Sequence, residues 1–286
     1  WIPPGIRKGS DLIIPLAHFL KKYRIEHALT LCEGVPAAEA IGKRLREMDG
    51  GSIAFGFGTN PKEPSAMRGG PMFELLFGVD TWLRQQGKRE RFQLTFFNAA
   101  AEPGKRLGDK AVKGLLAEMN RRGVSTQLGH KIKGFSATGV STEAADIPAD
   151  LILFMPGLTG PAWAENSGIT LSEGGFFPAD EFCAVKGTER VFVAGDAGSY
   201  PGPDWLPKQA HMADLQAVAV AENLLLALEG KAPVARPRTE LICIVDSVDA
   251  GILVYRDLKR NWVLPSSRLF HWAKRYFEGH YLREFR

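Results

Sequence analysis

The chain has 286 residues, of which 45% are hydrophobic and 24% are charged, an ordinary composition for a globular protein. A formal net charge of +4 is too small to indicate a nucleic-acid partner, and three widely separated cysteines do not form a disulfide framework. The histidines lack metal-ligand spacing, and there is no run of about 20 apolar residues to span a membrane. The length favours two domains.

The first fifty residues predict three short elements. A helix is expected from Asp11 through Phe19, with Pro15 restricting where it can begin. Residues 25–29 alternate like a short strand. Residues 36–49 predict an amphipathic helix with Pro36 at its start.

The next hundred residues predict a doubly wound α/β unit. Helices are expected over residues 72–86 and 110–122, the second of them stopped at Gly123. Strands are expected at residues 52–57, 92–97, 124–128, 131–135 and 151–155. Strand–helix–strand–helix order predicts a parallel sheet.

This unit lacks the glycine pattern of a dinucleotide-binding turn. Gly56 and Gly58 are present, but Pro61 stands at the third position and removes a backbone donor. After the next strand the first acidic residue is Glu102. The sequence therefore disfavours NAD(P)H binding here.

Residues 190–229 predict a strand, a turn and a long helix. The apolar run 191–194 predicts a buried strand that ends at Gly195 and Asp196. A helix is expected from Lys208 onward, on the helical spacing of Leu215, Val218, Ala219, Glu222 and Leu226. A carboxylate at a strand end beside a helix start is typical of ligand crevices in α/β sheets, and a helix start attracts negative oxygens. The alternative is that Asp196 only caps a turn.

The run V-F-V-A-G-D-A, followed by a Pro-rich loop and P-K-Q-A, resembles the second flavin-binding motif of the two-dinucleotide-domain flavoproteins, most closely their sulfide:quinone oxidoreductase branch. The resemblance implies FAD as cofactor, with Asp196 on its ribityl or pyrophosphate part and the following helix start at the pyrimidine edge of the flavin. The implied cofactor-binding residues are Gly195, Asp196, Pro207, Lys208, Gln209 and Ala210.

The resemblance also implies an α/β fold of two Rossmann-like doubly wound domains and a C-terminal helical tail. Residues 1–50 are expected to be part of an FAD-binding domain, 51–160 a second, NAD-type domain, 161–235 the return to the FAD-binding domain, and 236–286 a hairpin with an amphipathic helix. In the family a G-x-G-x-x-G turn comes before the position of Trp1, so we expect this sequence to be a fragment or to lack internal segments.

Two cysteines bear on the chemistry that the family performs. The sulfide:quinone branch carries a redox cysteine just before a G-P pair, and here Met67, Arg68 and Gly69 precede Gly70-Pro71, so that thiol is missing. By the resemblance Cys243 falls where the family places a flavin-proximal cysteine, which makes it the candidate catalytic thiol. Core packing in its strand is an equally weighted explanation. Cys183 is interpreted as a small packing residue.

The C-terminal region predicts a hairpin and a basic aromatic helix. Residues 241–245 and 251–255 are expected to pair. Residues 266–286 carry aromatic and aliphatic side chains near helical spacing among Arg and Lys: Leu269, Phe270, Ala273, Phe277, Tyr281 and Phe285. Such a helix suits a membrane interface, and packing on the core or on a partner subunit is the alternative.

The resemblance favours the membrane, because C-terminal helices anchor the family and line its quinone site. The sequence thus predicts an FAD-dependent oxidoreductase, peripheral on the cytoplasmic face of a membrane, that passes two electrons from a reduced donor to a quinone. A homo- or hetero-oligomer is compatible with it. The alternatives are NAD(P)H:quinone oxidation and a non-catalytic subunit that has lost its redox cysteines.

Overall fold

The computed structural model of the chain describes residues 28–29, 35–67 and 69–284. The helix expected from Asp11, Cys32 and Phe285 lie outside these residues. The described helices are α1 (Val35–Glu47), α2 (Gly70–Gln85), α3 (Asp109–Arg121), α4 (Ala210–Leu228) and α5 (Arg268–Glu284). None of them is long and apolar enough to cross a membrane.

A parallel sheet forms the centre of the described chain. Its strands are β1 (Ala28–Leu29), β2 (Gly51–Phe57), β3 (Phe92–Asn98), β4 (Ser125–Leu128) and β8 (Leu151–Met155). Their order in the sheet is β1-β8-β2-β3-β4, and each neighbouring pair is parallel. Helices α2 and α3 supply the crossovers, so the α/β class and the Rossmann-like unit are confirmed.

Three smaller sheets complete the strand inventory of the described residues. An antiparallel meander, β5 (Ile132–Ser136), β6 (Gly139–Thr142) and β7 (Asp146–Pro148), lies between β4 and β8 along the chain. A short parallel pair joins β9 (Phe177–Pro178) to β10 (Gly198–Ser199). The C-terminal sheet consists of β11 (Glu240–Asp246), β12 (Gly251–Asp257) and β13 (Asn261–Ser267).

One hydrophobic core ties the central sheet to the C-terminal sheet. Helix α2 buries Phe73, Leu76 and Phe77 completely or nearly so, and the same cluster includes Leu241 of β11 and Val254 of β12. Because these side chains lose water contact together, the C-terminal sheet and the parallel sheet share the stabilisation that burial provides. Helix α2 therefore fixes β11 relative to the Rossmann-like unit.

The prediction of a buried strand at residues 191–194 is wrong. This segment joins no sheet of the described chain: it makes a single antiparallel bridge, Ala184 to Phe192, flanked by bonds between residues 183–185 and 191–193. Val191 is 38% exposed, so only Val193 of the run is buried. The segment is too short and too exposed to hold a ladder of its own.

The C-terminal sheet and the meander also contain strands that were not predicted. The expected hairpin of β11 and β12 is confirmed in register, with Asp246 opposite Gly251. A third strand, β13, was not predicted, because Pro265 and two serines hide its pattern. The strands β6 and β7 were missed for a similar reason, since each is only three or four residues long.

Candidate functional site

The pair Gly195 and Asp196 lies in a tight turn against α4. Gly195 has a φ of 76°, a left-handed conformation that glycine adopts at little cost. Its amide donates to Oε1 of Gln216 at 2.8 Å, and its carbonyl accepts from the Tyr200 hydroxyl at 3.0 Å. Asp196 is half-buried beside it. Side chains on both flanks therefore fix this turn.

Lys208 holds the same turn from within the protein. The residue is only 8% exposed. Its ammonium donates to the carbonyl of Asp196 at 3.0 Å and to that of Gly198. It also lies 4.3 Å from the centre of the Phe176 ring. Carbonyl oxygens and a ring face are electronegative and stabilise a buried ammonium, so Lys208 supports the turn. Its contact with a flavin stays a prediction.

Helix α4 begins next to this turn without a side-chain cap. Gln209 is the N-cap in extended backbone, and Ala210 is the first helical residue. The side-chain amide of Gln209 donates instead to the carbonyl of Ile242 on β11 at 3.3 Å. The first amides of a helix have no partner within the helix, so this end attracts negatively charged oxygen atoms.

A narrow cleft of about 10 Å³, room for about one water molecule, separates the turn from the helix start. Its walls are Ser65, Gly195, Asp196, Tyr200, Leu206, Pro207, Lys208, Gln209, Met212 and Gln216. Five of the six predicted cofactor-binding residues thus border one cleft, and Ala210 follows immediately. A carboxylate, glycine backbone and uncapped helix amides suit the polar edge of FAD. The volume does not admit a flavin ring, and the binding of FAD by these residues stays a prediction.

Cys243 lies on β11, where the starts of two helices converge. Its Sγ is 4.0 Å from the position that a Cβ on Gly70, the first residue of α2, would occupy. The neighbouring Ile242 contacts Gln209 at the start of α4. Burial and the nearby Glu74 carboxylate raise the pKa of the Cys243 thiol to about 12, so the thiol is neutral near pH 7. Its role as the catalytic thiol stays a prediction.

A charged cluster that the sequence did not single out lies beside Cys243. Oε1 of Glu74 accepts from Lys274 on α5 at 2.6 Å and from the amide of Asp246 at 3.2 Å. The Asp246 carboxylate pairs with Nδ1 of His271 at 3.0 Å. Only the G-P-x-F-E run hinted at Glu74, and nothing in the sequence joins it to Lys274, 200 residues away. No three His, Cys, Asp or Glu side chains of the described chain could hold a metal ion.

The connection from β2 to α2 differs from a short dinucleotide-binding turn. Strand β2 ends at Phe57, and α2 begins only at Gly70. The Phe57 ring belongs to the hydrophobic core and packs under this connection, since a Cβ on Gly69 would lie 2.8 Å from it. The amide of Asn98 closes the strand end by donating to the Phe57 carbonyl at 2.9 Å. The described residues between β2 and α2 do not form the close glycine-rich turn that holds a pyrophosphate. That NAD(P)H binding is disfavoured here stays a prediction.

Comparison with known proteins defines the wider relationship. Residues 81–217 match the pyridine nucleotide-disulphide oxidoreductase family. The chain is 23% identical to the sulfide-quinone reductase of Aquifex aeolicus over 350 positions, which cover 97% of this chain and 79% of that protein. The chain is thus similar to a sulfide-quinone reductase along most of its length. The predicted resemblance is thereby confirmed, as are an oxidoreductase family and FAD as the cofactor that family uses.

Solved structures agree on the fold. The sulfide:quinone oxidoreductase of Aquifex aeolicus superposes with a TM-score of 0.76 at 18% identity, covering 91% of this chain and 64% of that one. The water-forming NADH oxidase of Lactobacillus brevis gives 0.53 at 14%, covering 81% and 47%. The chain thus spans less than two thirds of either structure. At these identities the likeness establishes the fold alone.

Proposed function

We propose that the chain is an FAD-dependent oxidoreductase that passes two electrons from a reduced donor to a quinone at a membrane surface. The observation that carries the proposal is the convergence at β11. The uncapped start of α4 and the first residue of α2 both approach the strand that carries Cys243. The Gly195 turn packs against α4 through Gln216, and five predicted cofactor-binding residues border the cleft between this turn and the helix start.

Different residues of the candidate site would hold different parts of the cofactor. Asp196 would accept hydrogen bonds from hydroxyl groups of FAD, and Gly195 lets the backbone approach closely. The start of α4 would stabilise negative charge at the pyrimidine edge through its amides and dipole. Lys208 keeps the turn in place by binding two of its carbonyls. FAD, when bound, supplies the two-electron chemistry.

Two donors can be weighed against the structure. Sulfide chemistry in this family needs a thiolate pair, and here the loop before Gly70 has no cysteine. Cys183 and Cys243, the cysteines of the described residues, are both free. NADH would need a short glycine-rich turn, whereas the connection from Phe57 to Gly70 is long and carries Pro61 at the position of the third glycine. The donor we favour is therefore a reductant that reaches the flavin without a protein disulfide or a nicotinamide site.

The membrane part of the proposal rests on α5. Its outward face exposes Trp272 and Tyr276 by 59% and 74%, and the adjacent strand β13 exposes Trp262 by 56%. Interfacial helices combine such aromatic side chains with arginines, as this one does. We therefore propose peripheral attachment through α5, on the cytoplasmic face as the family resemblance implies.

An absorption spectrum of the intact protein, followed by anaerobic titration with sulfide and NADH and then by reduction with dithionite and addition of a quinone, tests the proposal. We expect a stoichiometric flavin that NADH fails to bleach and that, once reduced by dithionite, is reoxidised by the quinone, which takes up the two electrons and becomes the quinol. Rapid bleaching by NADH would instead support NAD(P)H:quinone oxidation. Protein that binds no flavin even after reconstitution with FAD would overturn the proposal and support a non-catalytic subunit.

A further inference from the structure

A cavity of about 470 Å³ opens between α2, the turn that joins β11 to β12, and the first turns of α5. Gln85 contributes from the end of α2, Asp249 from the turn, and Arg268, His271 and Trp272 from α5. The cavity is separate from the cleft beside Asp196, since the two share no residue. Its volume suits a small polar group rather than a single water molecule.

Two polar side chains of this cavity keep unused hydrogen-bond donors. Within the described part of the chain Arg268 makes no hydrogen bond or ion pair, and neither does the side chain of Gln85. Asp249, the acidic residue of the wall, is bound elsewhere, because it accepts from Ser247 at 2.6 Å and from Arg122 at 3.3 Å. One unpaired guanidinium and one unpaired amide therefore face a space that no side chain fills. Such donors are suited to a phosphate.

The wall of the cavity is held in a costly conformation. Val248 has a φ of 75°, which a β-branched residue rarely adopts. Its amide is bound by Asp246 at 2.8 Å, and the carbonyl of Ser247 accepts from Thr81 on α2 at 2.8 Å. Strain that the surroundings maintain in this way is a feature of binding sites.

An apolar surface adjoins the cavity on the outward face of α5. Leu269 is 69% exposed and Tyr276 is 74% exposed, and Trp272 belongs to both the cavity and this face. Arg275 lies 5.5 Å from the Trp272 ring and has no other partner among the described residues. Apolar side chains and unpaired arginines thus share one face, which complements an anionic amphiphile.

We propose that this cavity binds the phosphate of an anionic phospholipid, with Arg268 and the amide of Gln85 as donors. The acyl chains then lie along Trp272 and Tyr276. The inference rests on the proposed attachment of α5 to a membrane and adds to it a specific headgroup site. Two contributions to membrane binding then differ in lipid specificity. The aromatic face of α5 binds any bilayer, whereas the cavity binds only anionic lipids.

The test is co-sedimentation of the intact protein with two kinds of vesicle, pure phosphatidylcholine and a mixture with phosphatidylglycerol. Arg268→Gln is compared with Arg283→Gln, which removes an equal charge from the same helix outside the cavity. A surface arginine contributes about fivefold to binding of an anionic bilayer, so Arg283→Gln should cost about that much. We expect Arg268→Gln to cost more than tenfold, on anionic vesicles only.

A second matched pair keeps the test independent of α5. Gln85→Glu places a negative charge in the cavity, whereas Gln86→Glu places it one residue away. We expect only Gln85→Glu to weaken binding of anionic vesicles. Equal effects within either pair of variants would overturn the headgroup site.

The remaining outcomes separate this inference from the proposed function. Equal binding of both vesicle types would overturn the headgroup site and leave membrane attachment standing. Failure to bind either type would remove both. Binding of glycerol phosphate in solution at millimolar concentration, without vesicle binding, would identify free phosphate as the ligand and overturn the lipid.

Discussion

At the scale of single residues, Asp196 carries the most weight in the cofactor hypothesis. It is half-buried at the cleft beside the start of α4, and the turn that presents it is fixed by Gln216, Tyr200 and Lys208. Because the turn is held by other residues, the carboxylate can be removed without losing the local backbone.

Asp196→Asn should therefore weaken FAD binding while leaving the fold intact. A hydrogen bond to a charged group contributes about 1.5–3 kcal/mol, which corresponds to roughly 10–100-fold in affinity. The flavin-to-protein absorbance ratio after dialysis measures the loss. Asp204→Asn, an exposed carboxylate in the same loop, is the matched control and should retain flavin. Equal retention by both variants would exclude Asp196 as a ligand.

Glu74 adds to the effect of burial on the pKa of the Cys243 thiol. Burial and the Glu74 carboxylate raise the pKa of this thiol to about 12, while Lys274 opposes the shift. In Glu74→Gln the carboxylate is gone and Lys274 loses its partner, so the pKa should fall. Each pKa unit means about tenfold more thiolate at a given pH. Alkylation by iodoacetamide at pH 8.5, followed at Cys243 by peptide mass spectrometry, should accelerate accordingly.

Glu278→Gln, an exposed residue on the same helix as Lys274, is the control for the alkylation experiment and should leave the rate unchanged. If Glu74→Gln also leaves the rate unchanged, access of iodoacetamide to Cys243, and not ionisation of its thiol, limits the alkylation rate.

At the scale of elements, a buried ion cluster joins three segments of the chain. The Asp80 side chain on α2 is fully buried and accepts from Arg84 at 2.9 Å, from Arg89 at 2.5 Å and from Arg122 at 3.0 Å. Arg122, just after α3, also binds Asp249 in the turn between β11 and β12. The cluster therefore holds the C-terminal sheet against the helices of the Rossmann-like unit.

Asp80→Asn should destabilise the protein strongly, because it leaves three arginines around a buried neutral group. Loss of one partner in a buried ion pair costs about 3–5 kcal/mol at neutral pH. Burial alone would raise the pKa of Asp80, but hydrogen bonds from the arginines hold it below its usual value. Its stabilisation is therefore complete above about pH 4 and is lost as pH falls through the lowered pKa.

Urea unfolding at pH 7 and at pH 3.5 measures both effects. Asp80→Asn should have a lower free energy of unfolding than the unmodified protein at pH 7. Its free energy of unfolding should also fall less between pH 7 and pH 3.5. Asp49→Asn removes an exposed carboxylate that pairs with Lys88 at 2.9 Å and should change the free energy of unfolding little. If the free energy of unfolding of Asp80→Asn still falls steeply between pH 7 and pH 3.5, carboxylates other than Asp80 cause the loss of stability in acid.

How far the sequence predicts these elements depends on what holds each one. Helices α1, α2 and α3 and strands β2, β3 and β8 were predicted closely, because their apolar periodicity matches their burial. The buried face of helix α4 was predicted only in part: Ala219 is buried as expected, whereas Val218 is 61% exposed and the unpredicted Asn223 is fully buried. Asn223 is buried because it bonds four backbone groups of residues 182, 234 and 235. Such polar anchoring leaves no periodic signal.

The same limit applies to the candidate site. The Gly195–Ala210 set was predicted because a local motif carries it, and its contact with FAD stays a prediction. The Glu74–Lys274 pair and the cavity beside Arg268 were not, because they join elements that are distant in sequence, and only packing of α5 against α2 and β11 creates them.

At the scale of the whole molecule, two exposed apolar faces differ in their surroundings. Helix α5 exposes Trp272 and Tyr276 among arginines, whereas α4 exposes Leu225 and Leu228 by 63% and 72% without basic neighbours on its last turns. Apolar area alone would make both faces bind a bilayer. Aromatic side chains beside arginines are what an interface selects, because the rings suit the headgroup level and the guanidinium groups stay hydrated.

Trp272→Ser with Tyr276→Ser should therefore abolish most binding to uncharged phosphatidylcholine vesicles, whereas Leu225→Ser with Leu228→Ser should not. Burying one large apolar side chain contributes about 1.5–3 kcal/mol, so the double change on α5 should weaken partitioning by at least about tenfold. Both pairs of residues are exposed, so thermal unfolding should change little in either variant. Co-sedimentation gives the partition coefficients. Equal losses in the two variants would mean that exposed apolar area in general, and not the aromatic face of α5, attaches this protein to membranes.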